Sequence, residues 1–237
     1  MLNELIKQPF LGFPTDATKF LKSLANPKNN NKLWFDSHRD KYEMNLKSPM
    51  RELIDSLAIE INKIDTDIVV NYKSIFRINR DIRFSKDKTP YKSYYSAAFT
   101  FNRIKSAELP HFYFQFNSKE FLFAAGQYSM DINYLKRIRK AIYDNFKQYK
   151  SIITNKFFIK EFGEIKGESL TKLPKGFENI EQEKNDPLLV KNLKLKQFYV
   201  YKTYSPDVIL SDEVIEIIKE NIKLTHNFTK FIDNVIK

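Results

Sequence analysis

The apolar residues of this chain change their spacing twice, and that change narrows the folds open to it. Up to residue 61 they recur at helical intervals. Asp16 is placed to cap a short helix through Phe20, Leu21 and Leu24, closed by Asn26-Pro27. A second helix is expected from about Asn30 to Leu46. A third, with Pro49 in its first turn, aligns Met50, Leu53, Ile54, Leu57 and Ile61 as one stripe. From Ile68 the pattern becomes that of extended chain: Val69, Val70, Ser74 to Ile78, Ser93 to Phe101, Phe112 to Phe116 and Glu120 to Ala125. Asn117-Ser118-Lys119 reads as a hairpin turn. Helical spacing returns after Asp131, with Leu135, Ile138, Ile142 and Phe146 on one face. A strand over Leu195 to Tyr204 follows, then a closing helix from Ser211 with Val214, Ile217, Ile218 and Ile222 inward.

Helices, then strands, then helices predict an α+β fold rather than a doubly wound one. The expected form is a single domain over residues 1–237, with a mainly antiparallel sheet of about four to six strands packed against N- and C-terminal helices. No repeat, low-complexity block or Gly/Ser linker interrupts it. Residues 163–186, polar and punctuated by Gly and Pro, are expected to form one long loop. The 21 Phe and 13 Tyr supply an ample core.

Several function classes find no support in the residues. No apolar run approaches the ~20 residues of a membrane span. Met1 to Gly12, which carries Glu4 and Lys7, lacks a signal core. There is no cysteine for a disulfide or a thiolate. The expectation is a soluble, cytoplasmic protein with no membrane partner. His38, His111 and His226 are scattered and no regular acidic loop occurs, so no metal is expected. Five glycines build neither a Walker nor a dinucleotide loop, and no cofactor is expected. Ser85 lacks the flanking glycines of a nucleophile elbow.

What remains is charge. The formal net charge is +11, and lysine is the default cation. Arginine is the exception, yet Arg77, Arg80 and Arg83 fall within seven residues. Residues 77–92 hold six cations (Arg77, Arg80, Arg83, Lys86, Lys88, Lys92) and two anions (Asp81, Asp87), a net of +4. If residues 77–84 are extended, Ile78, Arg80, Ile82 and Phe84 share a face. The apolar three then face the core and carry Arg80 inward, where it needs a carboxylate or a bound anion. Arg77 and Arg83, on the other face, have the planar fork that meets phosphate or carboxylate through paired N–H bonds.

The pattern of an Arg, an Arg-Asp pair, Arg-Phe, then Asp-Lys with Tyr three residues on resembles the signature of the domain-of-unknown-function 2461 family. Flanking matches are Asn30 to Tyr42, Leu173 to Phe177 and Leu193 to Phe198. The resemblance spans nearly the whole chain and implies shared residues but no reaction.

The first expectation is therefore a small-anion site in Arg77, Arg80, Arg83, Lys86, Lys88, Tyr91 and Lys92. Asp81, Asp87, Asp36 and Arg39 would support it, and Lys175-Gly176 would supply a second wall or, on the simpler reading, only a turn. Asp81, His38 and Tyr91 are the candidate acid/base groups. Because no nucleophile or acid/base pair stands out, the residues leave open whether a reaction follows. Two alternatives stand beside this reading. One is a nucleic-acid-binding module using the same cations with Tyr91, Tyr94 and Tyr95. The other is a structural or interaction protein whose Arg–Asp network only shapes a loop.

Overall fold

A computed structural model describes residues 9–101, 109, 111–180 and 186–236. The expected order of elements is present. The described strands form a five-stranded antiparallel sheet in the order β1 (Ile68–Val69), β2 (Tyr95–Phe101), β3 (His111–Phe116), β4 (Phe121–Gln127) and β5 (Phe198–Tyr204). The fold class is α+β, with helices before and after the strand run. None of the described helices is long and apolar enough to cross a membrane. The residues group into two compact units: Met1–Asn102 with Tyr113–Phe123 and Thr203–Glu220, and Arg103–Phe112 with Ala124–Lys202 and Asn221–Lys237.

In the first unit, α1 (Asp16–Leu24) buries Ala17, Phe20, Leu21 and Leu24. Its cap position is held by Thr15, not by Asp16. Asp16 sits in the first turn instead, paired with Lys19 at 2.8 Å. The single helix expected over Asn30 to Leu46 is broken. Asn31 caps α2 (Lys32–Ser37) by accepting from the Trp34 N–H, and α3 (Arg39–Tyr42) follows beyond His38. A π-helical turn, Glu43–Lys47, then runs into α4 (Ser48–Asn62). There the Ser48 N–H donates to the Glu43 carbonyl five residues back, next to Pro49, which has no N–H to give.

All seven β2 residues are buried, with the small Ser96, Ala98 and Thr100 alternating against Tyr95, Ala97, Phe99 and Phe101. Phe13 packs on Phe116 (centroids 4.6 Å), and Phe114 stacks on Phe121. Asn117 closes the predicted β3–β4 hairpin, its N–H donating to the Glu120 carbonyl at 3.0 Å. Ser74 to Ile78, expected as extended chain, includes only an isolated bridge, Ile75 to Ala97, after a 3₁₀ turn at Tyr72–Ser74.

In the second unit, Asp131 caps α5 (Ile132–Asp144) as expected, accepting from the Asn133 and Tyr134 N–H groups. Three short helices there were not expected: α6 (Phe146–Ile153), α7 (Lys156–Phe162) and α8 (Pro187–Leu193). Residues 163–180 are irregular apart from bridges Lys166 to Tyr199 and Ser169 to Leu195. The rest of the predicted loop, 181–185, lies outside the described residues. Gly126, with φ of 109°, passes so close to the Phe198 carbonyl that a Cβ would meet its oxygen at 2.3 Å. The closing helix, α9 (Glu213–Ile236), buries Val214, Ile218 and Ile222 as its spacing predicts.

Candidate functional site

Residues 77–92 fold back on themselves. The Arg80 N–H donates to the Pro90 carbonyl and the Lys92 N–H to the Ile78 carbonyl, each at 2.8 Å, with Asn79 bridged to Tyr91. Residues 81–89 thus form a loop on a two-stranded neck. Asn30 ties that neck to the start of α2. Its side chain accepts from the Tyr91 N–H (2.9 Å) and donates to the carbonyls of Tyr91 (2.9 Å) and Leu24 (2.8 Å). The Phe35 ring stacks on Tyr91 with centroids 4.1 Å apart. Two blocks far apart in sequence, around Asn30–Tyr42 and 77–92, therefore meet at Tyr91.

Inside the loop Arg80 has its carboxylate. Its Nη1 donates to Asp87 Oδ2 at 2.5 Å and to the carbonyl and hydroxyl of Thr89, while Nη2 reaches Ser85 Oγ at 3.3 Å. Asp87 also accepts from the Thr89 N–H (2.9 Å) and hydroxyl (2.8 Å). These Thr89 bonds, with Arg80, hold its carboxyl down to about 2. Arg83 forks Asp81 through Nε (3.0 Å) and Nη2 (2.7 Å). That fork, together with the Arg83 N–H, holds the Asp81 carboxyl down to about 2 as well. The Arg83 side chain is 76% exposed, so its pair sits at the rim, whereas Arg80 is 26% exposed. The two arginines are served by different carboxylates.

The other cations of the loop lack carboxylates. Among the described residues, no hydrogen bond or ion pair holds the Arg77 guanidinium or the Lys86 ammonium, both exposed, although the charge of Arg77 is felt by Asp81. Lys88 donates to the Ile82 carbonyl (3.0 Å) and Lys92 to that of Arg77 (3.0 Å). Lys92 also lies over Phe76 and Tyr94. Burial and the charge of Arg77 pull its pKa down. The face expected to be apolar divides. Ile78 is buried and Ile82 half-buried, but Phe84 is 95% exposed. Strand pairing ends at the neck, and the Ser85 N–H turns back onto the Ile82 carbonyl, so the two-residue alternation stops before Phe84.

In the helical block, Asp36 pairs with Arg39 at 2.6 Å, which commits its charge locally. His38 stacks on Trp34 (centroids 4.1 Å), with Nδ1 at 2.8 Å from the Trp34 carbonyl and 3.0 Å from Ser37 Oγ. A carbonyl only accepts, so Nδ1 carries a hydrogen. Tyr91 is buried, and burial and Asp36 push its phenol up, which makes it a neutral anchor rather than a base.

A family model described as a conserved hypothetical protein, DUF2461, matches residues 16–231. The chain belongs to the DUF2461 family. No curated protein and no solved structure matches it.

The stretch that resembles the DUF2461 signature thus has an internal logic. Its acidic positions fix Arg80 and Arg83, and its Tyr fixes the neck. Lys175 and Gly176, from a flanking match, lie in the second unit. Gly176 has φ of 94°, and its N–H donates to Glu178 Oε2 at 2.7 Å, closing a turn on itself. Sequence reasoning missed Asn30 as the clamp and Ser85 and Thr89 as partners of Arg80. The spacing Asp87-x-Thr89, which lets a carboxylate accept the N–H two residues on, was the available signal.

Proposed function

We propose that the loop 77–92 of this DUF2461 protein binds a phosphate- or carboxylate-bearing anion. The supporting observation is a charge imbalance on a fixed scaffold. Both loop carboxylates are committed to arginines of the same loop, while Arg77, Lys86, Lys88 and Lys92 keep a surplus of four positive charges. The Asp81 fork orients Arg83 and leaves its Nη1 for an incoming oxygen. Lys88 keeps two of its three donors after the bond to Ile82.

Thermal unfolding in phosphate against chloride, at matched ionic strength, tests this. A site filled at a hundredfold excess over Kd stabilises by about 2.7 kcal/mol, a rise of roughly 5–10 °C in Tm for a chain of this size. The triple variant Arg77→Ala, Lys86→Ala, Lys88→Ala should unfold like the parent in chloride and lose that rise. An equal rise in parent and variant would place the anion elsewhere.

A further inference from the structure

We infer that Phe84 is a stacking platform for a nucleobase and that the polyanion met by this loop is a single-stranded nucleic acid. The inference rests on the reading of the loop as an anion site and names the ligand class. Phe84 is 95% exposed, and it is the one large apolar side chain of residues 77–92 left in the open. A lone exposed apolar residue means little by itself. This one is surrounded in sequence by Arg83, Lys86 and Lys88, and the Arg83 guanidinium carbon stands 5.7 Å from its ring centroid. Asp81 holds that guanidinium in its fork, so the cation beside the ring is fixed in place. A second aromatic–cation group lies at the neck, where Lys92 sits over Phe76 and Tyr94. Cations that track phosphates, interleaved with π-faces that take bases, are what a sequence-tolerant single-strand site needs.

Competing ligands use less of this arrangement. A free phosphate has no use for an exposed ring. A duplex keeps its bases stacked on one another and offers no free face. An anionic bilayer would take up Phe84 only by drawing the adjacent Arg83–Asp81 pair toward hydrocarbon, which expels charge. A base lies on the ring while the pair stays in water.

The test is fluorescence anisotropy of the full chain with a labelled oligothymidylate of about twelve nucleotides, inside the ~4–16 spanned by known single-strand sites. Phe84→Ala should weaken binding by about 5- to 100-fold at low salt and leave the salt slope unchanged, and Phe84→Trp should restore it. Lys86→Ala should instead flatten the log–log salt slope by about 0.7. Because Phe84 is exposed, neither of its variants should change Tm in chloride. Three results would overturn the inference: equal oligonucleotide affinity in parent and Phe84→Ala, equal affinity for a hairpin duplex, or Phe84-dependent binding to anionic vesicles without oligonucleotide binding. If any of these appears while phosphate still raises Tm, only the stacking platform falls. If phosphate and oligonucleotide both fail, the anion site falls with it.

Discussion

The first unit contains two regions held by unlike forces. Around β2, β3 and β4, Tyr95, Phe114, Phe116 and Phe121 are almost fully buried against one another and Phe13. That packing is driven by the non-directional burial of apolar surface rather than by ion pairs. Residues 77–92 are held instead by directional bonds: the Asn30 clamp, the Arg80–Asp87–Thr89 knot and the Arg83–Asp81 fork. Apart from the buried Asn30 clamp, most of these loop groups are exposed, so they fix a shape while adding little to global stability. The fold and the loop should therefore fail separately.

The core offers the largest effect. Phe116→Ala empties a fully buried site and should cost about 3–5 kcal/mol in denaturant unfolding. Below the new Tm, the loop should keep its response to anions. Loss of that response under native conditions would show that the two regions are one cooperative element. The clamp comes next. Asn30→Ala leaves three groups, the Tyr91 N–H and the carbonyls of Tyr91 and Leu24, without their partner; each costs about 1–3 kcal/mol where water stays out, so with water entering the opened neck a loss of about 3 kcal/mol is expected. Unlike Phe116→Ala, it should also abolish phosphate stabilisation, because it frees the neck. If anion binding survived intact, the neck would need no tether.

How much of this was legible follows from the same contrast. The α4 stripe, β2 to β4 and the α9 face were readable because burial imposes a period on apolar residues. The break at His38 and the π turn at Glu43–Lys47 were not, since the apolar spacing runs through both. Helices α6, α7 and α8 have seven or eight residues each, too few for a period to emerge. Asn155 and Asp186, which cap the last two, and Pro187 in the first turn of α8 were their marks. In the loop, the need of Arg80 for a carboxylate followed from its apolar neighbours. The identity of that carboxylate did not. Extended chain would hold Asp87 far away, and only the neck brings position 87 back to position 80.

The smallest effect isolates the knot from everything else. The Asp87 carboxyl titrates at about 2 in the folded protein, against roughly 3.9 in an unfolded chain. Its folded value is the lower one, so the stabilisation it lends is complete above the unfolded value and disappears as pH falls through about 2. Hydrogen exchange at the Thr89 amide, which donates to Asp87 Oδ1, reads this directly. Protection at Thr89 should decline between pH 4 and 2 while that of Phe114 in β3 holds. Asp87→Asn keeps an acceptor but loses the charge, so Thr89 should be weakly protected at every pH and Tm should barely move. If Thr89 stayed as protected at pH 2 as at pH 5, the neck alone would be shaping the loop. The carboxylates would then be free to leave their arginines, and Arg80 and Arg83 would join the cations open to an anion.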